Sequence, residues 1–254
     1  MALSPDGRTL AVAVADPTWL HVFLVDLRSG SARRLTDAPC DFNPAWSKDG
    51  RTIAFLDEHL SPTLIARNGQ SRRKIPGGYT ADDSLQWTTG RELIYGTSDI
   101  NGFGGDQSFS IEALPARGGD QTELNGHGRF QALSPDESHL AYVSETTNDM
   151  YLAAIPGGRP RRILHEEGMS SLAWSPDGRW IAFHTPNGIN LMNPDGHEAR
   201  LLIDKSSADT PVWLPDSQHL LYSDHNSQRI YTTGIQQDDS RSVIDLSTIP
   251  TAAP

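Results

Sequence analysis

Five aspartates hold the same place in a recurring phrase: Asp6, Asp49, Asp136, Asp177 and Asp216, as in "LSPDGRTLAV" at 3, "WSKDGRTIAF" at 46 and "WSPDGRWIAF" at 174. Carboxylates repeated beside hydroxyls could hold a cation or move protons if they converged on one point. The histidines are a second set, but they contain no His-x-His and no His-Glu-x-x-His, the spacings that aim two imidazoles at one metal. His184 and His225 fall just after the second strand of two neighbouring repeats and are the weak metal candidates. The stretch "INGFGGDQSF" at 100 runs into the strand-like "SFSIEALP" rather than a helix. It therefore lacks the helix N-terminus that phosphate cradles use, and reads as a binding loop. Neither "GMSSL" at 168 nor "GTSDI" at 96 completes a Gly-x-Ser-x-Gly nucleophile elbow. The single cysteine, Cys40, excludes an internal disulfide and a Cys-rich zinc module.

The spacing of the aspartates decides what they do. They recur about every 40 residues, with a degenerate copy, "WTTGRELIYG", around Gly90, so six copies account for the chain. Each copy contains four short runs rich in β-branched and aromatic residues, separated by Gly, Asn and Asp, and no helical period appears. Four-stranded antiparallel units repeated six times bury both faces by stacking radially. The expected fold is all-β, a six-bladed β-propeller in one domain over 1–254, with blades at approximately 1–40, 41–78, 79–126, 127–166, 167–206 and 207–254. Trp46, Trp87, Trp174 and Trp213 take one position in their repeats and should pack between blades. The first repeat lacks most of its innermost strand, so the tail "STIPTAAP" is expected to close the ring as a C-terminal strand. Aspartates spread around a ring cannot meet at one atom. Each should bond its own backbone in a tight turn, with Gly supplying positive φ.

The phrases "LSPDGRTLAVAV", "WSKDGRTIAF", "LSPDESHLAY", "WSPDGRWIAF" and "WLPDSQHLLY" resemble the TolB-type, WD40-like (PD40) propeller repeat family along essentially the whole chain. The resemblance implies a non-enzymatic propeller that binds a protein or peptide, in a periplasmic, cell-envelope setting. Similar propellers form the sensor halves of membrane-bound transcriptional regulators, or carry a metal-assisted lyase site. A ligand-sensing domain and a divalent-metal lyase or hydrolase with a site at the central channel are therefore the alternatives. Fold alone does not choose among them.

Charge points to one face. A net charge of -11 argues against a nucleic-acid surface, which needs a concentrated cationic face. No run of about 18 apolar residues and no signal-peptide pattern occurs, so this stretch is expected to carry no membrane span, as a monomeric domain. Folded onto the repeat, the acids gather in loops of the face opposite the Ser-x-Asp-Gly turns. Asp41, Asp57, Asp82, Asp83, Asp106, Glu145, Glu166, Glu167, Asp209 and Asp224, with Phe103, are the expected partner-binding mouth, with Arg129 and Lys205 the nearest bases. Such a mouth would steer a basic or cationic segment. No cofactor is expected, a divalent cation at the channel mouth being the one alternative. Arg33, Arg34, Arg72, Arg73, Lys74, Arg161, Arg162, Arg200 and Arg241 fall on the outermost strands, where positive side chains discourage edge-to-edge pairing.

Overall fold

The computed structural model describes residues 1–15, 19–76, 85–98, 109–124, 128–144, 146–236 and 239–249. Six four-stranded sheets, each built from strands consecutive in sequence and antiparallel throughout, form the blades of a six-bladed propeller. They span 2–34, 42–74, 86–124, 129–165, 170–204 and 208–245. Among the described residues the buried apolar side chains form six clusters, one at each interface between neighbouring blades. The core is thus shared between blades, which is why no blade is self-sufficient.

The Ser-x-Asp-Gly phrase turns the chain. In blade 5 the Ser175 hydroxyl donates to Asp177 Oδ1 at 2.6 Å, Arg179 N–H donates to the same oxygen at 3.1 Å, and Ser175 Oγ accepts from Trp180 N–H at 2.9 Å. Blades 1, 2 and 4 repeat this set around Asp6, Asp49 and Asp136. These serine bonds hold the carboxyls of Asp6 and Asp49 below the usual carboxylate range, and that of Asp136 at about 2. The turns also interlock around the ring. A Cβ on Gly7, where φ is 69°, would stand 2.9 Å from the Pro215 ring of blade 6, so the last turn docks on the first.

Three of the four repeat tryptophans tie their blade to the one before it. Trp87 Nε1–H donates to Ala45 O at 3.1 Å, Trp174 to Ala132 O at 3.0 Å and Trp213 to Ala173 O at 3.1 Å. The outer-strand arginines make a second set of ties, each to a backbone carbonyl of the following blade: Arg33 to Arg67, Arg73 to Ala116, Arg161 to Asp195 and Arg200 to Ile235. Their cationic reach is used as a clamp between blades as well as a guard on an edge.

Blade 1 takes its inner strand from Ala2–Leu3, paired with Leu10 and Ala11. After the outer strand of blade 6 the chain makes a short 3₁₀ turn, Leu246–Thr248, capped by the Asp245 side chain, and sets Ile249 into the cluster shared by blades 6 and 1. Residues 250–254, where a closing strand of the tail would run, lie outside the described residues. Truncation after Asp245 removes the buried Ile249 and is expected to cost about 2 kcal/mol, seen as a lower melting temperature. An unchanged melting temperature would remove the tail from the closure.

Candidate functional site

The inner strands approach the mouth face through a repeated distortion. Asn43, Phe130, Ser171 and Thr210 all have φ between 50° and 53°, and the pairing register shifts across each of these positions. These are β-bulges on non-glycine residues, a device that re-aims side chains and clusters at sites of function. In blades 5 and 6 the bulges bring polar groups together. Ser170 Oγ lies 2.9 Å from His184 Nδ1, the Ser171 hydroxyl donates to Asp209 Oδ1 at 3.1 Å, and His225 Nε2 lies 3.2 Å from Asp209 Oδ2. Burial opposes ionisation of Asp209, but the Thr210 N–H, His225, the nearby His184 and Ser171 outweigh it and hold the carboxyl below its ordinary range.

This arrangement gathers two imidazoles and a charged carboxylate at one edge of the mouth. It does not build a charge relay, because among the described residues His184 makes its hydrogen bond to Ser170 and none to a carboxylate. Nor do three His, Cys, Asp or Glu side chains gather as a metal-binding group among the described residues. The expected pair His184 and His225 therefore shares a carboxylate neighbour rather than forming a ligand set. What the cluster offers is hydrogen bonding to a polar or cationic group at the channel edge.

The acidic mouth needs correction. Asp41, expected to face a partner, is fully buried, and Arg72 clasps it with Nη1 at 2.7 Å and Nη2 at 2.9 Å. Asp57 is buried against Lys74 at 2.9 Å and accepts from the His59 and Ser61 N–H groups. Burial resists its ionisation, yet Lys74 and those two amides pull the carboxyl below the usual range. Asp224 is buried against Lys205. All three carboxylates are spent on ion pairs, Asp41 and Asp57 with bases of blade 2 and Asp224 with Lys205 at the end of blade 5, and have no surface to present. Asp149 is likewise buried, beside His165 and Arg162, at 2.8 and 3.6 Å. The bases that offset the acids are thus Arg72, Lys74, Arg162 and Lys205, whereas Arg129 stacks on Phe130 with its guanidinium 5.2 Å from the ring centre.

Glu166 and Glu167 remain exposed on the loop between blades 4 and 5, and Asp209 is partly exposed. Asp82, Asp83, Phe103, Asp106 and Glu145 lie outside the described residues. What the charge-based reading missed is apolar. Among the described residues Trp19 is 50% exposed, Leu20 36% and Leu60 43%; Trp19 and Leu60 sit in the loops between second and third strands of blades 1 and 2, and Leu20 opens the third strand of blade 1, all at the mouth face. Leu60 stands at φ 57°. The signal for them was large apolar residues at loop tips, in "PTWL" and "EHLS".

No family model matches the chain. It is 26% identical over 203 residues to the uncharacterized protein Atu1656 of Agrobacterium fabrum, covering 76% of this chain and 67% of that one. It is 28% identical over 152 residues to the uncharacterized peptidase YuxL of Bacillus subtilis, covering 57% of this chain but only 21% of the peptidase. Among solved structures it is similar to the putative TolB of Agrobacterium tumefaciens, with a TM-score of 0.72 at 18% identity and 87% of both chains covered. It is also similar to TolB of Acinetobacter baumannii, TM-score 0.71 at 16% identity over 92% of this chain and 65% of that one. An oligogalacturonate lyase in complex with manganese gives 0.64 at 16% identity, over 96% of this chain and 76% of that one. Identities this low show the β-propeller fold, shared by TolB and by enzymes alike.

Proposed function

We propose that the protein is a non-enzymatic, TolB-like propeller that binds a protein or peptide partner across its mouth face, in a cell-envelope setting. The observation that carries this reading is the exposure of Trp19, Leu20 and Leu60 at the mouth ends of adjacent blades. Tryptophan is enriched among the residues that dominate binding energy at protein interfaces, and apolar neighbours such as Leu20 and Leu60 extend the surface it can desolvate. Glu58, half-exposed beside Leu60, and Glu166 and Glu167 further round the ring supply a rim of negative charge. A partner segment with an apolar anchor flanked by basic residues fits both features. The Asp209, His184 and His225 cluster would accept hydrogen bonds from a cationic group reaching the channel edge.

The test is affinity capture from cell-envelope extracts with three proteins: wild type, the double variant Trp19→Ser/Leu60→Ser, and Glu166→Gln/Glu167→Gln. The wild type should retain a discrete partner, the first variant should lose it, and the second should bind it with a weaker dependence on salt. Retention of the same partner by the apolar variant at undiminished yield would overturn the assignment of this face.

A further inference from the structure

The degenerate repeat was left without a role by the mouth, and it lies on the opposite face. In blade 3 the turn reads Thr88-Thr89-Gly90-Arg91. It is one residue shorter than its counterparts: Glu92 N–H donates to Thr88 Oγ1 over a separation of 4 positions, where Thr52 N–H reaches Ser47 Oγ over 5. Two chemical changes accompany the shortening. The aspartate that caps the turn in the other five blades is missing, and the left-handed position that Gly50 fills in blade 2 is held by Arg91, at φ 63°. A turn that normally carries its own anion therefore carries a cation, and its Thr89 N–H and hydroxyl find their acceptor outside the turn.

The structure shows what such a turn attracts. Glu137, from the neighbouring turn of blade 4, lays both carboxylate oxygens on Thr89, accepting from the N–H at 2.7 Å and from the hydroxyl at 2.8 Å. On its other side the same turn borders a cleft of about 430 Å³ between blades 2 and 3. Lys48, Arg73 and Arg91 line it, together with the Thr88 hydroxyl and the apolar side chains of Leu64 and Trp87. Asp49 is the acid on this wall. Its Oδ1 is already committed to the Ser47 hydroxyl at 2.7 Å and the Arg51 N–H at 3.0 Å. Arg73 spends one donor on Ala116 O at 2.7 Å and keeps others. The cleft thus has an excess of positive charge, hydroxyl donors, an apolar floor and a volume in the range of small-molecule sites.

We infer that the cleft between blades 2 and 3 is a binding site for a small organic anion, whose carboxylate or phosphate head meets Lys48 and Arg91 and whose apolar body lies on Leu64 and Trp87. The site is independent of the mouth and faces away from it. Calorimetric titration with phenyl phosphate, benzoate and the neutral benzyl alcohol tests it. The wild type should bind at least one of the two anions saturably at one site per chain, and benzyl alcohol at least tenfold more weakly. The double variant Lys48→Ser/Arg91→Gly removes two of the three exposed cations that line the cleft and leaves Arg73, which also bonds Ala116 O. Glycine accepts the positive φ at 91, so the turn is kept and the melting temperature should stay at the wild-type value. Its anion affinity should fall at least tenfold, while capture of a partner on the opposite face is unchanged. Absence of saturable binding of either anion to the wild type, or equal binding by the double variant, overturns the inference. Loss of mouth binding alone leaves it standing.

Discussion

Replacing Trp213 with alanine is expected to lower the free energy of unfolding by about 4 kcal/mol, the largest single effect in the molecule. The indole is 6% exposed, sits in the cluster between blades 5 and 6, and is bonded through Nε1 to Ala173 O. Removal opens a large cavity at a blade interface that the rigid sheets on either side cannot close. A milder pair of substitutions separates packing from hydrogen bonding. Trp213→Phe keeps most of the volume and leaves the Ala173 carbonyl without its indole donor, costing about 1 kcal/mol for the bond beyond the change in volume. Trp46 fills the same position in blade 2, is as buried, and its Nε1 has no hydrogen-bond partner among the described residues. The guanidinium of Arg67 lies over its ring instead, 5.4 Å from the centre. Trp46→Phe should therefore cost less than Trp213→Phe. Urea unfolding of the four proteins decides this, and equal losses for the two phenylalanine variants would show that the indole bonds do not tie the blades.

The fold was legible because the turn chemistry repeats. A serine, an aspartate and a residue at positive φ recur at one spacing, and each does the local task its side chain suits, so counting turns counted blades. The tryptophans were legible for the same reason, since one position per repeat can only mean one place per interface. The tail was less so. Its apolar Ile249 announces burial, but burial by packing and pairing as a strand leave the same mark in a sequence this short.

The mouth was half legible. Periodicity placed Asp41, Asp57 and Asp224 on the right face, yet could not show that they are buried. Asp41 meets Arg72 from 31 positions away, and the outer strand that brings the arginine there looks, in sequence, like an edge guarded by charge. A one-dimensional reading adds charges by face and cannot subtract pairs. The apolar anchors failed for a different reason: Trp19 and Leu60 sit beside strands full of similar residues, and only a burial profile tells a loop-tip tryptophan from a core one. The bulges at Asn43, Phe130, Ser171 and Thr210 left no mark at all, because none of these residues is a glycine.

The pairing that hides the acids sets the second large effect. Lys205→Met is expected to cost about 3 kcal/mol at pH 7, because it leaves Asp224, whose side chain is fully buried, without a counter-charge. Asp224→Asn should cost less, since the lysine it would abandon is 42% exposed and can turn to water, and Ser227 and the Asn226 N–H remain to bond the amide. The sign with pH follows from the two shifts. Burial resists ionisation of Asp224, but Lys205, Ser227 and Ser207 overcome it and depress the carboxyl, so its contribution is full above the unfolded aspartate value of about 3.9 and is lost as pH falls from there. Lys205 is raised above 10.5, chiefly by its hydrogen bond to Asp224, so its contribution persists below that value and is lost only as pH climbs through the folded one. The deficit of Lys205→Met relative to wild type should accordingly be flat from about pH 5 to pH 9 and shrink steadily below about pH 4. Urea titrations at a series of pH values read it directly. A deficit that stays constant down to pH 2 would mean that the methionine variant fails by packing against Tyr231, whose ring centre lies 5.2 Å from Lys205 Nζ, rather than by stranding a buried charge.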